Sequence, residues 1–245
     1  MIGAIQLYKQ HREYSEGEDS YTDLDHYVKL PEEPKEPKEP SPSPTDETES
    51  GGREWPVVDF ASLQEINPDI VGWIYIEGTE INYPVVQGRD NQYYLKHLFS
   101  GEWNGSGCIF LDSRNRLDFS DRHSIICGHH MKNGSMFAAL VEYKDPDYFN
   151  AHRTIYLYTP QGVYTATVFS AYVDVATSPQ TTISFQDHAA FLSFVETMRN
   201  QSITKTDTPI GAEDRIITLS TCTYEYDDAR FIVQAVLHPV KTTGE

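Results

Sequence analysis

From Trp55 onward the chain breaks into short apolar, β-branched runs separated by turn residues, and this rhythm restricts the fold more than any other feature of the sequence. The runs are 72–76, 81–86, 107–111, 123–127, 154–158, 163–175, 215–221 and 231–237. Eight β-rich segments at this density predict a mainly β architecture, a closed barrel or a sandwich, rather than alternating βαβ units. A helix is predicted over 59–67. A second is predicted from Ser184, where Asp187 three residues on resembles a capping box. Phe191, Phe194, Val195 and Met198 then repeat at three- and four-residue spacing, so one face of that helix lies against the sheet. No repeat of the solenoid or propeller kind is present.

The first 50 residues are different in kind. Segment 31–50 holds six of the 14 Pro, seven acids against two Lys, and no aromatic or β-branched aliphatic residue, the composition of an extended solvated linker. Ahead of it, Ile5, Leu7, Tyr8, Tyr14, Tyr21, Leu24, Tyr27, Val28 and Leu30 recur at helix-like spacing in a polar stretch. That reads as a short helix, solvated or docked, or else Met1 to Leu7 is the stump of an anchor. The net charge of -18 leaves no basic excess for phosphates, which argues against nucleic acid as a partner. Counted over 1–50, five Lys and Arg face 13 Asp and Glu, so much of that charge belongs to the front of the chain. No uninterrupted apolar run approaches the roughly 18 residues that cross a bilayer.

Three Cys, at 108, 127 and 222, are too few and too oddly numbered for a disulfide framework. Cys222 ends the run IITLSTC (216–222) and meets the polar turn TYEYDDA before Arg230 opens the next strand. A free Cys is more often a small buried hydrophobe, and a lone Arg at a strand start is more often a solvated surface residue. A hairpin of this length nevertheless sets the Arg230 guanidinium near the Cys222 thiol. Upstream, CGHHMKNGSMF (127–137) carries His129 and His130 at the end of a strand. Neighbouring residues on a strand point to opposite faces, so one His is expected to share a site with Cys222 and the other to be structural. The same divergence, and the lack of CxxC or HxxxH spacing, argue against a metal. Nucleophile, acid–base and cationic candidates on three strand ends are the parts for acyl transfer through a thioester.

TLSTC at 218–222, Arg230 shortly after, CGHHMKNGSMF at 127–137 and DNQYYLKHLFSG at 90–101 together resemble the sortases, class B in particular, over about 54–240. The resemblance implies an eight-stranded β-barrel with N-terminal helices and one inserted helix before the Cys strand. It divides the chain into an N-terminal segment 1–30, a linker 31–53 and a catalytic domain 54–245. Carried over by position, Cys222 is the nucleophile, His129 the general acid and base, and Arg230 the oxyanion or substrate clamp. Asn91, Leu95, Ser220, Thr221 and Thr223 line the signal groove. Such enzymes use no cofactor. They cleave a C-terminal sorting signal, NPxTx or LPxTG-like, after Thr and transfer the acyl group of a surface protein or pilin to a peptidoglycan cross-bridge or Lys amine. They act on the outer face of the cytoplasmic membrane of Gram-positive bacteria, held by an N-terminal transmembrane helix that this chain does not contain. Where many class B members have an aromatic residue two before the catalytic His, this chain has Cys127, expected to face the same way as His129. It reads as packing, with a disulfide to Cys222 as the alternative. Two further readings stay open: a Cys-His peptidase that hydrolyses its product, and a non-catalytic surface module.

Overall fold

The structure, a computed structural model, describes residues 2–29 (side chains from Arg12), 55–175, 181–222 and 228–240. The linker expected at 31–53 lies outside these residues. All eight expected strands form, and they close into one barrel. They are β3 (Ile70–Tyr75), β4 (Asn82–Val86), β5 (Ile109–Leu111), β6 (His123–Cys127), β7 (Thr154–Thr159), β8 (Gly162–Val175), β9 (Arg215–Cys222) and β10 (Ala229–Pro239). Around the barrel they run β10-β8-β7-β3-β4-β5-β6-β9. Most pairs are antiparallel, whereas β4 with β5 and β6 with β9 are parallel. Before the barrel, two short strands, β1 (Val28–Lys29) and β2 (Val57–Val58), pair with each other.

Strand alternation divides the buried side chains between two cores. Ile74, Val85, Ile126, Leu157, Ile217, Leu219, Phe231 and Val233 fill the barrel interior. Ile216, Ile232, Val236 and Phe169 face outward and are covered by Phe191, Phe194, Val195 and Met198 of helix α4 (His188–Gln201). The expected apolar face of α4 is thus borne out, but its start is not Ser184. The Asp187 carboxylate caps the helix by accepting from Ala190 N–H at 2.8 Å.

Among the described residues, three further α-helices accompany the barrel. α1 (Ile2–Thr22) docks beside it: Tyr21 donates to the Gly107 carbonyl at 2.5 Å and meets Tyr83 edge-on. The helical spacing read as far as Leu30 stops earlier, because a single 3-10 turn (Asp25–Tyr27) leads into β1. α2 (Phe60–Ile66) begins at Asp59, which accepts from Ser62 N–H at 3.1 Å. α3 (Pro146–Ala151), unanticipated, has Asp145 as its cap and Pro at the first position.

Candidate active site

Parallel strands finish at the same edge, so β6 and β9 end together, and β10, antiparallel to β9, begins there. Cys222, the last residue of β9, stands in register opposite Arg230, the second of β10. Opposed residues carry their Cβ atoms about 5 Å apart on one face, which makes the thiol and the guanidinium neighbours. That face is the outer one: Ile216, Thr218, Ser220 and Cys222 alternate outward, Ile217, Leu219 and Thr221 inward. Arg230 is half-buried, and its Nη1 donates to the Ala229 carbonyl at 3.0 Å.

The segment after β6 brings in the imidazoles. Gly128 extends the pairing by donating its N–H to the Ser220 carbonyl at 3.1 Å, and the Phe137 N–H donates to the His129 carbonyl at 2.9 Å. His129 Nε2 lies 2.7 Å from the Leu95 carbonyl. A carbonyl only accepts, so Nε2 carries the proton, and Nδ1 is the nitrogen left for proton exchange. The Leu95 carbonyl is itself held by a close crossing: Gly107 has φ +60, and a Cβ there would sit 2.6 Å from Tyr94 O and 2.9 Å from Leu95 O.

His130 was expected to be the structural member of the pair, and its Nδ1 lies 3.1 Å from the Cys222 main-chain carbonyl. The rule of opposite faces does not reach it, because the chain has left β6 and forms an isolated bridge between His130 and Met136. Both imidazoles therefore touch the site's framework, His129 through Leu95 and His130 through Cys222.

The expected groove residues divide. Ser220 shares the outer face with Cys222 and is half-buried. Leu95 reaches the site through its carbonyl. Asn91 Oδ1 accepts from Ser113 N–H at 2.8 Å and so supports the segment after β5 rather than Cys222 directly. Thr221 is turned into the barrel, opposite Phe231 and 1% exposed, and its Oγ1 finds no hydrogen-bond partner among the described residues. Thr223 lies outside the described residues.

Cys127 is opposite Ser220, two residues short of Cys222 on the neighbouring strand and on the same face. One strand spacing and two residues of rise separate their Cα atoms by about 8 Å, more than the roughly 7 Å that a disulfide spans without backbone movement. All three cysteines are free. Burial pushes the Cys127 thiol up to about 12, with Asp112 adding to the rise and Arg230 opposing it. Cys108 is buried, as expected, and its thiol is likewise pushed up to about 12 by burial.

Sequence reading missed a charged pair beside the Cys127 thiol. Asp112, its side chain 7% exposed, receives two bonds of 2.8 Å from Arg114 Nε and Nη2. Burial alone would raise its carboxyl, but the Arg114 fork outweighs that and holds it below the usual range. The only hint was an acid and a base two residues apart after a strand. Among the described residues, no group of three or more His, Cys, Asp or Glu is arranged to hold a metal ion, and no helix is long and apolar enough to cross a membrane.

Comparison with known proteins gives this geometry its context. The sortase domain family matches residues 74–238. Sortase B of Listeria monocytogenes is 38% identical over 181 residues, 73% of this chain and 74% of that protein. Among solved structures, sortase B from Bacillus anthracis in complex with AAEK1 superposes with a TM-score of 0.77 at 33% identity, covering 94% of this chain and 100% of that one. A Staphylococcus aureus sortase B–substrate complex superposes with a TM-score of 0.71 at 35% identity, covering 74% of this chain and 85% of its own.

Proposed function

This chain belongs to the sortase family and, within it, to class B, whose members are cysteine transpeptidases; from that premise we propose that Cys222, His129 and Arg230 cut a C-terminal sorting signal after Thr and pass the acyl group to an amine. The Cys222 thiolate attacks the Thr carbonyl carbon, forming the S–C bond and moving the carbonyl electron pair onto oxygen. Arg230, opposite the thiol in register, supplies the positive charge that this oxyanion needs. Collapse breaks the C–N bond while His129 Nδ1–H protonates the leaving amine. An incoming amine then attacks the thioester, gives its proton to His129 and expels the thiolate. Leu95 keeps Nε2 occupied throughout, so the imidazole exchanges its proton at Nδ1 alone.

The Cys222–Arg230 register pair at the edge where β6 ends and the His129 segment begins is the observation that carries this reading. The S. aureus relative solved with a substrate supports a peptide as the acyl donor. The acceptor in this reading is a peptidoglycan cross-bridge amine or a Lys, met outside the cytoplasmic membrane, and the relatives come from Gram-positive bacteria. The test is intact-mass analysis after incubation with NPQTN-like and LPxTG-like peptides. A mass gain equal to the fragment ending in Thr, lost in Cys222→Ala and discharged by added amine faster than by water, is the expected result. No adduct from any peptide, while Cys222 still reacts with a small alkylator, refutes the reading.

A further inference from the structure

His129 is held at two places, and both holds lead back to α1. Its Nε2–H donates to the Leu95 carbonyl at 2.7 Å, and its own carbonyl accepts from Phe137 N–H at 2.9 Å. The Leu95 side is built on one peptide unit, the plane shared by Gly107 and Cys108. The Cys108 N–H of that unit donates to the Tyr94 carbonyl at 2.8 Å. Its carbonyl, on Gly107, accepts from the Tyr21 hydroxyl at 2.5 Å. A peptide plane is rigid, so fixing the oxygen on one edge fixes the N–H on the other. The crossing has no slack, because Gly107 packs against the Tyr94 and Leu95 carbonyls so closely that no Cβ fits.

The second hold passes through the ring of the same tyrosine. Tyr21 meets Tyr83 edge-on, with centroids 5.4 Å apart and planes at 88°. The Tyr83 hydroxyl accepts from Met136 N–H at 3.0 Å. Met136 has φ +59, a left-handed conformation that a residue with a long side chain adopts when its surroundings impose it. Phe137, the next residue, is the one that donates to the His129 carbonyl. Asn133, on the same turn, donates to Glu18 Oε1 of α1 at 2.7 Å. Both tyrosines are buried, which strengthens each contact by lowering the local dielectric. Burial also raises the Tyr21 phenol well above its ordinary value, with Cys108 adding to the rise, so the hydroxyl keeps the proton it donates.

We propose that Tyr21 is a positioning residue for the general acid and base: its hydroxyl, acting through Gly107, and its ring, acting through Tyr83 and Met136, set where the His129 imidazole stands relative to Cys222. This rests on the transpeptidase reading and deepens it, since it makes α1 part of the support of the site. Tyr21 touches no reacting atom. Its loss lowers the rate of thioester formation and leaves the peptide concentration needed for half-saturation where it was. It also lets the Leu95 carbonyl drift, so the neutral imidazole no longer keeps its proton on Nε2 alone.

The test uses the full chain and three variants. Tyr21→Phe removes one oxygen and keeps the ring against Tyr83, Tyr21→Leu removes both holds, and Tyr83→Phe removes the acceptor for Met136 N–H. Single-turnover thioester formation over a range of NPQTN-like peptide concentrations gives a limiting rate and a half-saturating concentration. NMR of the histidine ring nitrogens, at a pH where the imidazole is neutral, reads which nitrogen of His129 carries the proton. Since a displacement of about 1 Å costs about 100-fold, Tyr21→Leu is expected to slow acylation about 100-fold and Tyr21→Phe about tenfold, with half-saturation within about twofold of wild type. Tyr83→Phe falls between wild type and Tyr21→Phe. In Tyr21→Phe the ring proton is expected to be shared between Nδ1 and Nε2, where wild type keeps it on Nε2. A limiting rate within about twofold of wild type in Tyr21→Phe overturns the proposal, whatever happens to Tm. So does a rise in half-saturation at constant rate, which places the effect on binding. A slower rate with the ring proton still on Nε2 overturns it too, because the loss then bypasses the imidazole. If Tyr21→Phe does not fold, Tyr83→Phe decides by the same rate and ring-proton readings. A wild-type chain that forms no adduct with any signal peptide overturns the transpeptidase reading itself, while the ring-proton measurement still tests the link from Tyr21 to His129.

Discussion

Gly128 lies between Cys127 and His129, and a single methyl group there tests how the site is held. A Cβ at this position would stand 2.3 Å from Ile109 Cδ1 and 2.9 Å from Phe137 Cδ2. Ordinary carbon contacts are about 3.5–4.0 Å, so the shortfall against Ile109 exceeds about 1 Å. Neither neighbour can yield cheaply, since Ile109 and Phe137 are fully buried. If the core gives way, Gly128→Ala costs about 1–3 kcal/mol. At about 2–4 °C per kcal/mol that lowers Tm by roughly 2–12 °C. If instead the backbone shifts, the bond from Gly128 N–H to Ser220 O stretches and His129 moves with it; a displacement of about 1 Å costs about 100-fold in acylation rate. Calorimetry and single-turnover thioester formation read the two routes separately. Ile109→Val removes the offending Cδ1, so Gly128→Ala/Ile109→Val is expected to recover more than the sum of the single changes allows. A Gly128→Ala protein with Tm within about 1 °C and acylation within about twofold of wild type refutes the steric argument.

Two other measurements follow from buried titrating groups. Burial holds His123 neutral down to about 4, where an unfolded imidazole titrates near 6.5, so between those values the unfolded chain binds more protons than the native one. Stability conferred by neutral His123 is therefore complete above about pH 6.5 and falls as pH drops towards 4, by up to about 3 kcal/mol. Melting curves from pH 4 to 7 should show this slope and lose much of it in His123→Asn; equal slopes in both proteins contradict the assignment. At pH 8 a small alkylator should modify Cys222 in the native protein, while Cys108 and Cys127, whose thiols are pushed up to about 12, react only after unfolding. Peptide mapping that finds Cys127 modified as fast as Cys222 would reject that order.

Much of the fold was legible because strands of this kind announce themselves locally. The limits of 123–127 coincide with β6, and the other seven runs agree with the observed strands to within two residues at nearly every end. The misreadings arose where a local signal had two solutions. Ser184 and Asp187 are both acceptable caps, and the helix takes Asp187, which accepts from Ala190 N–H. The apolar spacing up to Leu30 is helical on paper, but Val28 and Lys29 pair with Val58 and Val57, a contact spanning the whole linker. α3 was missed although Asp145 and Pro146 are a cap and a first-turn proline, because its six residues are too few for periodicity to register.

The sequence by itself determined the number of strands, the amphipathic face of α4, and the chemical types that meet at the site, because these follow from side-chain alternation and from residue identity at strand ends. It also carried the nearness of Cys222 to Arg230, which a single hairpin sets. The order of strands around the barrel, and with it the parallel pairing of β6 with β9, was decided only by closure of the sheet. That closure places Gly128 against Ser220, offers the Leu95 carbonyl to His129, and assembles Gln234, Thr218 and His123 into a relay from three strands. Hydrogen bonds between residues tens of positions apart leave no period in a sequence, since their geometry exists only after the intervening chain has folded around a common core.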